Sequence, residues 1–452
     1  MRPDYLKSKI LSLSAWLAVL ILVLMPFHAF LTVWVSSLTG HYITLRLWKE
    51  VMLIILVAFS MYLAVVFKDR ITDLDSKLWW LISGYVAINL VGGAVAYSNH
   101  NVDLKALVYA LISNLRFLAF LVVTWTISKH SNLLKNNWQK IIIWPAAVVI
   151  IFGVIQEFLP ANFLEHFGYS ALTVLPYQFV DNNSLFLRVQ STLRGANPLG
   201  AYLVLAITTL LATTIIRERK FSIHDFYSGK VLLTITALVT LFFTYSRAAW
   251  LGVILSAATL FVMTQYSKPL FKRYFAAGFI TLLLISFGIA ANIKHNKSIQ
   301  NAVLHTSQTS KSAVTSNESH LAKLKTGAKE VASEPLGRGP GSAGPASVYN
   351  NHPARVAENY YIQIGQELGW LGLVLFLLIN ARLAFLLWLQ RHDVLVISLF
   401  ASLVGISFIN LLSHAWTDDT LAYVWWGLAG IAIARGQGSA DRVKGKVGGT
   451  KP

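Results

Sequence analysis

Long apolar stretches recur along this chain, and a chain divided in that way has few folds open to it. They fall near 11–33, 49–67, 79–97, 106–128, 141–159, 198–216, 231–245, 248–266, 274–291, 368–389, 394–413 and 420–434. Most approach the ~20 residues a helix needs to cross the hydrocarbon core of a bilayer. In lipid, backbone N–H and C=O groups must be satisfied within the segment, so such stretches are helical. The expectation is an all-α polytopic membrane protein with about twelve transmembrane helices. The region 231–266 reads either as two short spans or as a re-entrant pair. Composition agrees, since 55% of the 452 residues are hydrophobic, 13% are charged and the mean hydropathy is +0.57, too apolar for an ordinary soluble protein.

The placement of base sets the topology. Lys and Arg gather at the N-terminus (Arg2, Lys7, Lys9), around Lys68 and Arg70, at Lys129, Lys135 and Lys140, at Arg217 to Lys230, at Lys268 to Arg273, at Arg391 and in the tail from Arg435. These are the expected cytoplasmic loops, and the alternate loops are much poorer in base. An even span count then puts both termini in the cytoplasm. The basic N-terminus and first apolar run lack a small-residue cleavage site and read as a retained signal anchor. The net charge of +18 would suggest nucleic acid in a soluble chain. Spread over short loops it signals topology and attraction to membrane lipid or an anionic substrate instead, with no nucleic-acid partner. No cysteine is present, which excludes disulfides, thiolate metal sites and a Cys nucleophile.

Four regions follow. Residues 1–291 hold nine spans and an outer loop at 160–197. Residues 292–367 form a large, partly helical extracytoplasmic loop, with an amphipathic helix after Asn317 that places Leu321, Leu324, Ala328 and Val331 on one face. Residues 368–434 hold three more spans. Residues 435–452 are a basic cytoplasmic tail, Gly- and Lys-rich from Gly436, expected to lack fixed structure.

Three constellations on the outer face can carry chemistry. Arg194 precedes a helix start marked by Asn197 and Pro198, so its guanidinium and the free amides of that helix can face one anion. Arg247 stands with Tyr245 and Ser246 in a very short turn, and two guanidinium forks on one membrane face can clamp a diphosphate. The third is the glycine-rich loop from Ser333 to Ser342, which holds Arg338 and leads to His352, Arg355, Glu358 and Asn359. If helical, Asn359, Gln363 and Glu367 share a face that must meet water, protein or substrate and not lipid. Glu358 or His352 can act as a general base toward a hydroxyl. The plainer readings are headgroup anchors for the arginines, a glycine-rich connector, and an acidic first helical turn. Arg116, mid-membrane, needs a partner, and His414 to Asp419 form a polar turn whose carboxylates can balance the arginines. No His, Asp or Glu spacing points to a metal site, and no cofactor is expected.

Taken together these residues resemble the O-antigen ligase and polymerase superfamily of bacterial envelope glycosyltransferases. Arg194-Gly195-Ala196-Asn197-Pro198 is similar to its first arginine segment and Tyr245-Ser246-Arg247 to its second. Gly337-Arg338-Gly339-Pro340-Gly341, Glu358-Asn359-Tyr360-Tyr361 and Glu367-Leu368-Gly369-Trp370-Leu371-Gly372 are similar to its signature at the end of the long loop. The family usually places His where this chain has Glu358. The resemblance implies an undecaprenyl-diphosphate-linked glycan donor, a hydroxyl acceptor that nothing here names, and metal-independent inverting transfer on the outer side of the cytoplasmic membrane. Arg194 and Arg247 would clamp the diphosphate with Arg338 as helper. Glu358, or failing it His352, would be the base, with Asn359 orienting it or the acceptor. The rival is a transporter or flippase of lipid-linked oligosaccharide, which predicts charges deep in several spans and two related halves.

Overall fold

A computed structural model describes residues 3–70, 73–180, 183–217, 229–265 and 316–447. In chain order its helices are α1 (Pro3–Leu24), α2 (His28–Thr39), α3 (Tyr42–Arg46), α4 (Trp48–Phe67), α5 (Ser76–Ser98), α6 (Leu104–His130), α7 (Leu133–Glu157), α8 (Ala196–Arg217), α9 (Gly229–Phe243), α10 (Arg247–Gln265), α11 (Ser316–Ser333), α12 (Tyr360–Leu389), α13 (Val394–Asn410) and α14 (Asp419–Val447). Among the described residues, eight helical segments are long and apolar enough to cross a membrane, and α9 and α13 are shorter apolar helices. The protein is therefore an all-α polytopic membrane protein. The expected span at 274–291 and the start of the long loop lie outside the described residues. Residues 231–266 form two separate helices, α9 and α10, with Thr244–Ser246 between them. The loop at 160–197 carries a small feature the all-helical expectation lacked, an antiparallel hairpin of β1 (Phe179–Val180) and β2 (Asn183–Leu187) that pairs Phe179 with Leu187.

The first apolar run is one rod from Asp4 to Thr39, broken by a 3₁₀ turn at Met25–Phe27 where Pro26 removes a backbone donor. At the centre α14 packs along α6. Gly427 and Gly430 let the two backbones approach, and the Thr124 hydroxyl donates to Gly427 O at 2.8 Å. Trp416, Trp425 and Trp426 are fully buried at the head of α14. Large apolar side chains such as Val65, Trp80 and Trp144 face outward while Asn89, Asn114 and Arg116 lie inside. That inverted distribution suits a lipid surround. α14 does not stop at Gly436 as the tail reading expected. It continues to Val447, with Arg435 paired to Asp393 at 2.5 Å and Gln437 donating to Asp73 O at 2.6 Å to hold its path.

The glycine-rich loop is a structural part. α12 is broken at Gly369, whose φ of 66° and ψ of −167° leave the helical region, so carbonyls and an N–H near the break lose their helical partners. The loop supplies replacements. Arg338 N donates to Gln366 O at 2.9 Å, Gly339 N to Glu367 O at 2.8 Å, and Trp370 N to Pro335 O at 2.9 Å. Non-helical backbone is tolerated in a spanning helix where protein re-satisfies it in this way. The polar stripe on α12 serves the same contact, since Glu367 accepts from Gly341 N at 3.1 Å and from Asn114 Nδ2 at 3.0 Å. Asn359 departs from the expected stripe. It is the N-cap, accepting from Ile362 N at 3.0 Å and donating to Leu411 O at 2.9 Å.

The amphipathic helix expected after Asn317 is α11, and its expected face is met in part: Val331 is buried and Leu324 half-buried, while Leu321 and Ala328 are exposed and Gly327 is buried instead. A Cβ at Gly327 would stand 2.7 Å from Ile362 and 2.8 Å from Ala357, so close approach to α12 selects the glycine over its alanine neighbour.

Gly341 has φ +90°, and a Cβ there would stand 2.8 Å from the Ala106 carbonyl. Gly341→Ala is expected to destabilise the protein by at least about 2 kcal/mol. Gly229→Ala, where a Cβ meets nothing within 4 Å, should be neutral. Thermal denaturation followed by fluorescence-detected size exclusion compares the two.

Candidate active site

The site is built on two adjacent carboxylates at the head of α14. Asp418 caps the helix, accepting from Leu421 N at 3.2 Å through Oδ1, and accepts from Arg194 Nε at 2.9 Å through Oδ2. Asp419 turns inward. It pairs with Arg116 at 2.5 Å, Lys49 at 3.1 Å and His28 at 3.5 Å, while Glu50 takes Lys49 at 3.0 Å and Arg116 at 3.6 Å. Arg116 therefore has the partners its depth requires, and also donates to Thr417 O at 2.9 Å. Trp48 Nε1–H donates to His28 Nδ1 at 2.9 Å, which leaves Nε2 to face Asp419.

Two chambers flank Arg194. One, of about 260 Å³, is lined by Thr32, Tyr42, Arg46, Gln178, Arg194 and Asp419 among others. The other, of about 240 Å³, is lined by Arg194, Asn197, Pro198, Glu358, His414 and Asp418 among others. Arg194 and Asp418 belong to both walls. Enclosure works against the charge on Arg194, but the carboxylates of Asp418 and Asp419 outweigh it and hold the guanidinium charged above its ordinary value. The first turn of α8 lines the second chamber through Asn197 and Pro198, so that helix start and Arg194 share one cavity.

α8 and α10 meet at their N-terminal turns, where a Cβ on Gly200 would stand 2.7 Å from the Ala249 Cβ. Arg188 spans that junction, donating to Thr244 O at 3.1 Å and to Asn197 Oδ1 at 2.7 Å. Arg247 opens α10 beside it but lines neither chamber. Glu358 lines the second chamber and pairs with Lys323 at 2.5 Å and His320 at 3.3 Å, both from α11. Its φ is +54°, and Tyr245 and Ser191 also have positive φ. Left-handed backbone at non-glycine residues is costly and collects where function fixes a loop.

Four of the six expected residues, Arg247, Asn359, His352 and Arg338, line neither chamber. His352 is exposed and donates to Asn101 O at 3.0 Å, at the turn between α5 and α6. Arg338 is paired with Glu334 at 2.5 Å, and Arg355 pairs with Glu334 at 2.9 Å and Glu330 at 3.1 Å. Reading the sequence missed Arg46 altogether and passed over His414 as part of a polar turn. Arg46 did leave a signal, being a base in a loop that the Lys and Arg distribution places outside. His414 left little, because its surroundings come from distant segments. Burial pushes its imidazole down to about 4, partly offset by Glu358, and its Nε2 is buried without a hydrogen-bond partner.

Fold and site thus define a polytopic membrane protein with an arginine-bearing polar cleft at one end of its helix bundle. Residues 232–377 match the family model described as O-antigen ligase. This supports membership of the O-antigen ligase and polymerase superfamily, and bears out the resemblance over that segment. The segment contains α9, α10, α11, the glycine-rich loop and the first part of α12, but not Arg194 or the head of α14. No curated protein matches the chain at a significant level.

Removing one partner of the inner cluster should leave a buried charge uncompensated. Asp419→Asn or Arg116→Met is expected to cost about 3–5 kcal/mol, and the double variant less than the sum. Thermal unfolding of the purified proteins in one detergent measures this. His414 makes a pH prediction. Its folded value near 4 lies below the ordinary 6.5, so its contribution is complete above pH 6.5 and is lost as pH falls toward 4. The loss should be about 3 kcal/mol. His414→Gln should flatten that part of the Tm–pH curve.

Proposed function

We propose that this protein is a membrane glycosyltransferase of the O-antigen ligase type, moving a glycan from undecaprenyl diphosphate to an acceptor hydroxyl on the outer side of the cytoplasmic membrane. The observation that carries the reading is the shared second chamber. Arg194 and the first turn of α8 line one cavity with Glu358, which comes from a segment far away in sequence. It combines what the transfer needs, anion stabilisation for the leaving diphosphate and a carboxylate for the attacking hydroxyl.

In this mechanism Arg194 and the α8 amides meet negative charge as it grows on the diphosphate. Arg247, at the neighbouring helix start, adds a second guanidinium once the donor is in place. Glu358 takes the acceptor proton, the acceptor oxygen bonds to the anomeric carbon from the face opposite the phosphate, and the carbon–oxygen bond to the diphosphate breaks with inversion. Undecaprenyl diphosphate leaves with the electron pair. Glu358 is held by Lys323 and His320, so α11 must yield part of that grip when the acceptor enters. His414, in the same chamber, replaces His352 as the second candidate base. Asn359 serves indirectly by fixing the start of α12 next to Glu358. The arginines supply the charge stabilisation that a metal provides elsewhere.

Ligase and polymerase share this donor chemistry and differ in acceptor. The flippase alternative asks for charges free to act within the spans. The described buried charges are instead engaged with one another, as in the Asp419 cluster.

The test is glycan transfer by purified protein from a defined undecaprenyl-diphosphate donor, with several acceptors offered in the presence of EDTA. Turnover should survive EDTA and fall at least about a hundredfold in Arg194→Ala and Glu358→Gln. A fully active Glu358→Gln with a dead His414→Gln would move the base to His414. Donor transport without release of undecaprenyl diphosphate would favour the flippase.

A further inference from the structure

We propose that the groove between α1 and α7 is a binding site for an anionic glycerophospholipid, held from the leaflet on the far side of the membrane from the cleft. The groove encloses about 480 Å³, more than either chamber of the cleft. Its walls are apolar, with Val19 and Val23 of α1 and Phe27 of the turn after it facing Ile141 and Val148 of α7. Phe27 and Val148 mark the end toward the cleft. His28, the next residue, lines the first chamber, and Gln156, two turns beyond Val148, accepts from Ser191 N of the outer loop at 2.7 Å. Lys140 and Asn137 mark the opposite end.

Charge selects the occupant. At this end of the bundle Lys129 holds Asp69 and Asp73, Arg382 holds Asp75, and Arg435 holds Asp393. Lys140 is exposed and has no hydrogen bond or ion pair among the described residues. It stands five residues past Lys135, whose carbonyl accepts from Arg435 Nη1 at 2.5 Å, so it is about 7–8 Å further along the helix than that ring of charges. An ammonium on a four-carbon stem reaches back over such a distance to headgroup level. Below it lies an apolar groove, and together they match a phosphate carried on acyl chains.

The neighbouring polar atoms fit a glycerol-based lipid. Trp144, one turn further in on the face of Lys140, is 70% exposed, and Trp16 across the groove is 59% exposed. Neither indole N–H has a hydrogen-bond partner among the described residues, so both can donate to ester carbonyls below a phosphate. Asn137 Nδ2 donates to Leu133 O at 2.9 Å, which leaves Oδ1 to accept from a headgroup hydroxyl. In the proposed transfer the donor's diphosphate stands at the cleft, at the other end of the spans. A phosphate at Lys140 therefore belongs to a lipid of the other leaflet.

The experiment titrates the full chain, delipidated in detergent, with phosphatidylglycerol or phosphatidylcholine of the same acyl chains and counts bound lipid by native mass spectrometry. The first phosphatidylglycerol should bind about fivefold tighter than phosphatidylcholine. Lys140→Gln should abolish that preference and Lys140→Arg should keep it. Val148→Trp, which fills the groove without changing a charge, should weaken both lipids. Phosphatidylglycerol with a photoreactive group in one acyl chain should label α1 and α7. Equal affinity for the two lipids in the wild type, a preference that survives Lys140→Gln, or labelling confined to other helices would each overturn the inference. Displacement of phosphatidylglycerol by undecaprenyl phosphate at lower concentration than by phosphatidylglycerol itself would make the groove a polyprenyl site and overturn it as well. A dimer that Val148→Trp dissociates, with no lipid retained by the wild type, would assign the groove to a second copy instead.

Discussion

Two neighbouring carboxylates, Asp418 and Asp419, must both be neutralised inside a membrane protein, and they are neutralised in opposite directions. Asp419 draws Arg116 from α6, Lys49 from α4 and His28 from α2 into one buried cluster. Asp418, equally buried, turns the other way and holds Arg194. An ion cluster of this kind adds little net stability, because desolvation offsets most of the attraction, but breaking it is expensive. It therefore acts as a registry device, fixing the head of α14 against three other helices. Arg194 takes its position from that anchored head, and both chambers are measured from Arg194.

A second constraint comes from the break in α12. A spanning helix interrupted at Gly369 is viable only if its freed backbone groups find partners, and the glycine-rich loop provides them. Glycine is required because the two backbones meet directly. A Cβ at Gly337 would stand 2.5 Å from Gly369 N and 2.6 Å from Glu367 O. The same packing brings the loop's flanks, α11 before it and Glu358 after it, to the edge of the cleft. α11 then lays Lys323 and His320 on Glu358. The motif that looks most like a substrate loop is thus a clasp, and the groups that face the cavity lie at its borders.

Much of the fold was legible because the bilayer imposes a one-dimensional rule. A run of apolar residues of sufficient length is a helix whatever it later packs against. The start of α8 was readable from Asn197 and Pro198, since a proline is tolerated only in the first turn of a helix. The face of α11 was read correctly at Leu324 and Val331 but not at Leu321 and Ala328, because periodicity does not reveal that Gly327, lacking a Cβ, allows the close approach. The polar stripe on α12 was visible as a stripe, but its partners, Gly341 and Asn114, were not.

The sequence alone settled the solvent this protein folds in, the helical character of its spans, and the charged and glycine-rich segments that had to be explained. It did so because hydrophobic length, capping and charge placement act over a few residues. The tertiary structure decided which of those charges meet. Arg116 found Asp419, Arg194 found Asp418, Glu358 met α11, and His352 stayed at the periphery. Arg46 and His414 emerged as cleft residues only when segments distant in sequence closed around them. Pairing in a low-dielectric interior depends on distances between helices, and no local pattern encodes those.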